Sequence, residues 1–443
     1  MSNTFVIRNA WICAINDHDQ VNPVFGDLEI RDGKIQQITQ RHDQQFRPAH
    51  GSAEIDAAGR MLTVPQVNFH EHIYSRLAKG LPINGPMTNF VEILESLWWK
   101  LDRTLDMDMV RASAQMAAFE CLQNGVTYLF DHHASPSAVK GSLQTIAETL
   151  DHFGLRSVLS FEISDRNGQS IAAESLTENV EFIRKAGHEN SKGMIGLHAL
   201  FTLSDDTLRE IARWLETLKT GIHIHVAEDR ADVQLNQKEF KKSIARRLAD
   251  FNLLNERSLL IHGVHLTTED YRIIARSGAA LVYNPDSNLN NAVGLPDYAN
   301  VPESIPILMG TDGMHANVGR SLKQLFLLYR FQKNSFESAF TLMQKIFKDQ
   351  LHFVRRYFPD FPGLQEGHRA DFVLWNYIPP TPVTDENFFG HLIYGLLESQ
   401  PQAVFQNGRT LLLEGKIKIE NPLKIWQNIR TQGKRLFEIF SRG

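Results

Sequence analysis

Eight short apolar runs, separated by longer segments with helical periodicity, dominate the middle of the sequence. This alternation is expected of βα units on a parallel sheet. Eight such units predict an α/β fold with a (β/α)8 TIM barrel, and a doubly wound open sheet is the alternative. The runs are Leu62 to His70, Val126 to Asp131, Ser157 to Glu162, Met194 to His198, Gly221 to Val226, Ser258 to His262, Ala279 to Tyr283 and Ile305 to Gly310.

Both ends of the chain are instead rich in strand patterns and turns. Asp32-Gly33 and Asn407-Gly408 each lie between two apolar runs, and both dipeptides tolerate the positive φ that hairpin turns require. Neither end has enough strands for a stable sheet, so we expect the ends to fold together. The predicted domains are a small composite β-sandwich of residues 1–59 and 367–418, a barrel over residues 60–366, and a helix within residues 419–443 that packs on the exterior.

Polar residues cluster at the carboxyl ends of the predicted barrel strands, where barrel enzymes place their chemistry. A random scatter of the 18 His in the chain would not favour these positions. We therefore expect an active site built from several strands. The residues at or just after strand ends are His70, His72, Asp131, Glu162, His198, His225, His262 and Asp312.

His70 and His72 lie two residues apart in an extended strand, so their side chains project from the same face. A lone His-x-His pattern is weak, but its position at a strand end favours a metal site. If this pair bound an ion together with His225 and Asp312, one coordination position would stay open, as in catalytic metal sites. Glu228 follows three residues after His225, where a carboxylate can face a water molecule without binding the ion.

Other histidines are given different interpretations. His262 ends the sixth strand and would flank the water or the substrate. His223 lies one layer deeper than His225 on the same strand face and is interpreted as a hydrogen-bonded core residue. His132 and His133 are left outside the metal set, because paired His in a loop are usually solvated or bonded to the backbone. The long segment from Ile73 to Asp106 is expected to form a lid, a substrate wall or a subunit contact.

Five motifs follow one another along the predicted barrel. They are NFHEH at Asn68 to His72, HVAED at His225 to Asp229, IHGVHL at Ile261 to Leu266, NPDSN at Asn284 to Asn288 and GTDG at Gly310 to Gly313. In this order they resemble the amidohydrolase superfamily, and specifically its branch of cytosine deaminase, guanine deaminase, adenosylhomocysteine deaminase and triazine chlorohydrolase. Four segments, LWWKLDRTL, FDHHASP, DRNG and HIHVAED, are similar to the SsnA-type aminohydrolases of that branch. The first-strand motif departs from the usual Pro-Gly by reading Val64-Pro65-Gln66.

This resemblance implies one divalent metal ion, Zn²⁺ with Fe²⁺ as the alternative. A single ion is implied because His198 stands on the fourth strand, where binuclear members carry a bridging carboxylated lysine. His198 would instead contact the substrate, and Glu228 with His262 would transfer protons and orient the water, assisted by Asp312. The implied metal ligands are His70, His72, His225 and Asp312.

The implied reaction is the hydrolysis of a carbon–nitrogen bond other than a peptide bond. Its expected form is deamination of a purine, pyrimidine, pterin or triazine amine, with release of ammonia. A chlorohydrolase or a cyclic-amide hydrolase would use the same residues with another leaving group. A non-enzymatic barrel scaffold would have lost ligands or the acid/base, and none is lost here.

Composition limits the partners and the compartment. Lys plus Arg is 46 and Asp plus Glu is 51, a balance that argues against nucleic acid or an anionic membrane as partner. No apolar run approaches the roughly 18 residues of a membrane span, and the first residues lack a secretory signal pattern. Cys13 and Cys121 alone exclude a disulfide framework. We expect a cytoplasmic homo-oligomer, in the simplest case a dimer, that acts on a small molecule.

Overall fold

The computed structural model describes residues 4–42, 45–47, 54–185 and 189–442. The predicted domain ranges also include residues 1–3, 43–44, 48–53, 186–188 and 443, which lie outside the described part. Within the described part, the strands are β1 (Thr4–Ile15), β2 (Val21–Arg31), β3 (Lys34–Gln40), β4 (Glu54–Asp56), β5 (Met61–Thr63), β6 (Gln66–Glu71), β7 (Val126–His133), β8 (Arg156–Ile163), β9 (Ser191–Gly193), β10 (Ile195–Ala199), β11 (Ile222–Val226), β12 (Leu259–His262), β13 (Ala280–Tyr283), β14 (Ile307–Met309), β15 (Phe372–Trp375), β16 (Pro401–Gln406), β17 (Arg409–Leu413) and β18 (Lys416–Ile417).

Helices follow most of the barrel strands. None of the described helices is long and apolar enough to cross a membrane. The α-helices are α1 (Phe90–Ile93), α2 (Trp99–Thr104), α3 (Met107–Gln123), α4 (Ser142–His152), α5 (Gln169–Lys185), α6 (Asp205–Leu215), α7 (Arg230–Phe240), α8 (Ile244–Asp250), α9 (Thr268–Ser277), α10 (Pro285–Asn290), α11 (Val318–Phe331), α12 (Phe336–Arg355), α13 (Phe388–Tyr394) and α14 (Pro422–Arg442).

The predicted (β/α)8 barrel is confirmed. Its strands lie in the order β14-β13-β12-β11-β10-β8-β7-β6, and the described pairs among them are parallel. A parallel bridge between Glu71 and Asp312 joins the first strand to the eighth. Because helices cover its outer face, strands such as β11 and β12 are buried along their whole length.

The first apolar run divides into two strands that belong to different sheets. β5 ends at Thr63 and pairs with β1 and β15, whereas β6 begins at Gln66 in the barrel. Pro65 lies between them, and its ring removes a backbone donor and fixes φ, so one continuous strand is not possible here. This division was not predicted, although the proline that causes it is visible in the sequence.

The second sheet combines both ends of the chain. Its order is β18-β17-β16-β15-β5-β1-β2-β3, with β4 paired to β1. The antiparallel pairing of β15 with β5 joins the two ends through Val373–Thr63 and Leu374–Leu62. The prediction that the ends fold together is confirmed, and the domain bounds themselves stay a prediction. The chain divides into two compact units, one of Met1–Val67, Phe119–Tyr128 and Asn317–Glu420, the other of Asn68–Ala118, Leu129–Ala316 and Asn421–Gly443.

Both predicted hairpin turns form, and they lie against each other. Asp32 and Gly33 have φ of 50° and 78°, and Asn407 and Gly408 have φ of 51° and 69°, as a type I′ turn requires. A Cβ atom on Gly33 would lie 2.6 Å from Oδ1 of Asn407. Gly33 is therefore required both by its backbone conformation and by the neighbouring turn.

We expect Gly33→Ala to destabilise the protein more than Gly415→Ala. Gly415 has φ of 73° with nothing near its missing Cβ, so alanine there adds only backbone strain of about 1 kcal/mol. At Gly33 the overlap with Asn407 adds about 1–3 kcal/mol. Urea unfolding followed by circular dichroism measures both variants, and equal losses would contradict the contact between the turns.

Candidate active site

The carboxyl ends of three barrel strands bring together the four predicted metal ligands. Nε2 of His72 lies 3.0 Å from Oδ1 of Asp312, and Nε2 of His70 lies 3.4 Å from the same oxygen. Nε2 of His225 lies 3.2 Å from Nε2 of His72. Side chains from β6, β11 and the residues after β14 thus meet at one point.

The backbone at these strand ends is unusual. Ala227, His262 and Asp312 have φ of 48°, 73° and 54°, in the left-handed region that non-glycine residues rarely adopt. Each follows or ends a barrel strand. Such conformations cost free energy and are held by the surrounding structure, typically where side chains must be aimed at a functional site.

The second ring nitrogen of each histidine is already occupied. Nδ1 of His72 lies 2.7 Å from the carbonyl oxygen of His132, and Nδ1 of His225 lies 2.8 Å from that of His198. A carbonyl only accepts, so Nδ1 carries the proton and Nε2 of the neutral ring keeps its lone pair. Both Nε2 atoms therefore point into the cluster as potential ligands.

These donors fit a divalent cation. Nε2 of His70 is fully buried and, among the described residues, has no hydrogen-bond partner with suitable geometry. Such an atom is costly unless a ligand satisfies it. Ligand atoms of His70, His225, His262 and Asp312 lie within 4.8 Å of one another. Imidazole and carboxylate groups are the donors that catalytic divalent-metal sites use, so the cluster is a divalent-metal site.

Glu228 and His262 lie beside this cluster. Nε2 of His262 is 3.4 Å from Oε2 of Glu228 and 3.8 Å from Oδ2 of Asp312. Asn288 holds the other side of the His262 ring, with Oδ1 2.8 Å from Nδ1. Ser287 donates to Oδ2 of Asp312 over 2.5 Å. The NPDSN motif at the start of α10 thus supports two of the predicted catalytic groups.

The two carboxyl groups have opposite pKa shifts. Burial raises the pKa of the Glu228 carboxyl, although nearby His262 acts against this. Burial also opposes the charged form of Asp312, but the imidazoles of His70 and His72 beside its carboxylate outweigh burial and hold its pKa well below the usual range. Carboxyl groups separated in this way are suited to different roles, one able to exchange a proton and one permanently charged.

A cleft of about 630 Å³ opens above the cluster. The segment from Ile73 to Asp106 forms much of its side, as expected of a substrate wall. Within it, residues 94–98 form a π-helical turn between α1 and α2. Trp98 and Trp99 both line the cleft. The apolar and aromatic lining residues are Tyr74, Phe90, Leu94, Trp98, Trp99, Ala199 and Phe201.

Glu162, one of the predicted strand-end residues, belongs to a buried charged group at the cleft whose other two members, Asp102 and Arg166, were not predicted as part of the site. Arg166 pairs with Asp102 and, over 2.8 Å, with Glu162. Burial raises the pKa of Asp102 to about 7. Burial opposes the charged form of Glu162 too, but the charges of His198 and Arg166 lower its pKa to about 2. Asp102 and Arg166 lie in segments that carried the resemblance, LWWKLDRTL and DRNG, yet the sequence does not show that these segments meet.

His198 lines the cleft, as its predicted role as a substrate contact requires. Its ring lies 6.1 Å from that of Trp99, and Nδ1 is 3.1 Å from Oγ1 of Thr202. Burial lowers the pKa of His198 to about 4, so the ring is neutral near pH 7. Near pH 7, Arg166 is therefore the group that provides a positive charge beside Glu162.

His132 lies closer to the cluster than expected. Its ligand atom lies within 4.8 Å of those of His72 and His225, and its Nε2 is 2.9 Å from the carbonyl oxygen of Leu197. His133 turns away, with Nε2 2.8 Å from Oγ of Ser135. His132 thus supports the cluster, chiefly through the carbonyl oxygen that His72 contacts.

The barrel, the histidine–aspartate cluster and the buried glutamate together define a metal-dependent hydrolase. The chain belongs to the amidohydrolase family, whose profile matches residues 66–347. This match confirms the predicted superfamily. It also confirms the prediction of a hydrolytic enzyme that acts on carbon–nitrogen bonds.

Relatives along nearly the whole chain carry deaminase names. A 5-methylthioadenosine/S-adenosylhomocysteine deaminase of Desulforudis audaxviator is 25% identical over 445 residues, covering 98% of this chain and 99% of its own. A 5'-deoxyadenosine deaminase of Methanopyrus kandleri is 26% identical, covering 91% and 93%. The crystal structure of a zinc-bound adenosine deaminase from Xanthomonas campestris has the same fold, with a TM-score of 0.81, 19% identity and 98% of both chains covered.

We expect Gly310→Ala to weaken metal binding. A Cβ atom there would lie 2.8 Å from Cβ of His70 and 2.9 Å from its carbonyl oxygen, so the first and eighth strands would be pushed apart. Zinc affinity, measured by competition with a chelator, should fall by about 10- to 100-fold. This is the loss typical of mutations that remove a residue orienting a metal ligand. Gly313→Ala is the control, because its Cβ would meet only side chains, at 3.1 Å or more. An unchanged affinity in Gly310→Ala would contradict this account.

Proposed function

We propose that the protein removes an amino group from an aminated heterocycle by hydrolysis and releases ammonia. The observation that carries this proposal is the position of Glu228. Its carboxyl group is buried, has a raised pKa, and lines the cleft beside the cluster of potential metal ligands. A buried carboxyl group that can exchange a proton there is suited to general acid/base catalysis.

The proposed metal is one ion, Zn²⁺ with Fe²⁺ as the alternative, held by His70, His72, His225 and Asp312. When bound, such a cation supplies Lewis-acid chemistry that acidifies a water molecule. Three imidazoles and one charged carboxylate offer a set with room for a further ligand. The zinc in the Xanthomonas campestris structure is consistent with this choice.

Two residues beside the cluster would carry out proton transfer and orientation of the water molecule. Glu228 accepts a proton from the water at its carboxylate and then donates it to a ring nitrogen of the substrate. His262, held by Asn288, faces both Glu228 and Asp312 and orients the attacking oxygen. The carbon attacked becomes tetrahedral through its new bond to the water oxygen. The remaining proton of that oxygen then passes through the carboxylate to the amino nitrogen, the carbon–oxygen double bond forms, and the carbon–nitrogen bond breaks as ammonia leaves.

The cleft and the relatives both favour a flat aromatic amine as substrate. The aromatic wall provides faces on which such a ring can stack, and His198 would contact it from the side of β10. Because the relatives are named for adenine-containing compounds, we place purine amines first, ahead of pyrimidine, pterin and triazine amines. The cytoplasmic location and the homodimeric state stay predictions from the sequence.

We expect one ion per chain. Protein stripped of metal and reloaded with Zn²⁺ should contain one equivalent by elemental analysis. Nε2 of His70 and of His72 both face Oδ1 of Asp312, and Nε2 of His225 lies 3.2 Å from that of His72, so the four ligands converge. His225→Ala should lose most of this metal together with any activity. Two equivalents per chain, or full retention of metal by His225→Ala, would contradict the proposed site.

We expect Glu228→Gln to keep the metal and lose turnover. The amide preserves the shape of the side chain but cannot shuttle the proton, so the rate should fall by about 10²- to 10⁴-fold. The substrate for this test comes from a screen of purine, pyrimidine, pterin and triazine amines for ammonia release by zinc-loaded protein.

Asp229→Asn is the matched control, since Asp229 is the next residue and only caps α7 through the backbone nitrogen of Ala231. Its rate should stay near that of the unaltered protein. Full turnover by Glu228→Gln would assign the proton transfer to another group, and loss of metal in Glu228→Gln would make the carboxylate a ligand.

A further inference from the structure

We propose that His223 is a positioning residue that holds the imidazole of His70 in the orientation and tautomer required of a metal ligand. The proposal rests on the metal site described under Proposed function. It gives a specific role to a residue that the sequence pattern assigned only to the core.

The two rings form a direct hydrogen bond. Nδ1 of His70 lies 2.8 Å from Nε2 of His223, and both residues are fully buried. One nitrogen must donate and the other must accept. Since Nε2 of His70 faces the cluster, where a metal ligand needs its lone pair, Nδ1 of His70 carries the proton. His223 is therefore the acceptor.

The direction of this bond determines the remaining links. If Nε2 of His223 accepts, its own proton is on Nδ1, which lies 3.5 Å from Oγ of Ser160. The hydroxyl of Ser160 donates to the carbonyl oxygen of Asp131 over 2.9 Å, so its lone pairs remain free to accept. All the donors then point the same way, from His70 toward the main chain of β7. The Ser160 contact is long, and the bond between the two imidazoles is the main link.

The direction of this bond also limits the form of His223. A ring with a proton on both nitrogens could not accept from His70, so the bond requires the neutral form of His223.

Comparison with the other two histidines shows why His223 matters. His72 and His225 donate from Nδ1 to main-chain carbonyl groups of residues 132 and 198. No side-chain substitution removes those acceptors. Among the three proposed histidine ligands, His70 is the one whose Nδ1 partner is a side chain. The orientation of this ligand therefore depends on the residue at position 223.

Substitutions at position 223 that keep or remove the acceptor test the proposal. His223→Leu removes the acceptor, and His223→Gln replaces it with an amide oxygen near the position of Nε2. Zinc affinity is measured by chelator competition, and the visible spectrum of the Co²⁺-loaded protein reports the geometry at the ion. We expect His223→Leu to lower zinc affinity by about 10- to 100-fold and to alter the Co²⁺ spectrum. His223→Gln should restore most of both.

His133→Leu is the matched control. His133 is also a fully buried histidine, but its Nε2 contacts Ser135 and not a proposed ligand. Its loss should lower the unfolding temperature without changing zinc affinity. If His223→Leu does not fold, His223→Asn makes the same test, because its shorter amide leaves Nδ1 of His70 without an acceptor.

Two outcomes would overturn the proposal. One is a zinc affinity in His223→Leu or His223→Asn equal to that of the unaltered protein. The other is an equal loss in His223→Gln, which would show that the shape of the ring matters and not its acceptor nitrogen. His70→Ala separates this result from the function itself, because zinc binding at full affinity without His70 would refute the metal site.

Discussion

The approach of the first barrel strand to the eighth is the constraint on which the site depends. The carbonyl oxygen of His70 accepts hydrogen bonds from the backbone nitrogens of Thr311 and Asp312, over 2.9 and 3.1 Å. These bonds place the carboxylate of Asp312 beside the imidazoles of His70 and His72. They require a residue without a side chain at Gly310, where any Cβ would touch His70. The same backbone contact therefore closes the barrel and brings the ligands of the cluster together.

Electrostatic interactions in the cluster give chemically similar side chains different pKa values. Asp312, beside the imidazoles of His70 and His72, stays charged, whereas burial favours the neutral form of Glu228. Burial likewise keeps His223 and His225 neutral, and neutral imidazoles are the form that binds a cation. Burial in the barrel interior and the charges beside each group thus separate the protonation states of similar side chains.

The sequence predicts those parts of the site that depend on strand ends. His70 and His72 share a face because strands alternate, and parallel strands bring His225, His262 and Asp312 to the same end. It does not predict the group of Asp102, Glu162 and Arg166. Asp102 lies on a helix inside a long loop, and its distance from Arg166 is set by how that loop folds back, for which no periodicity exists. The division of the first run at Pro65 could be predicted from proline chemistry alone.

The π-helical turn at residues 94–98 has a consequence for how the cleft can change over evolution. Successive residues of an α-helix are about 100° apart around its axis, and a π-helical turn has one residue more than the α-helical turn it replaces. The deletion of one codon there would restore an ordinary helix and rotate one of the two tryptophans away from the cleft. A change of one residue in length could therefore reshape the wall that faces the substrate while leaving the barrel and its cluster intact. Substrate preference could diverge among relatives that keep the same chemistry.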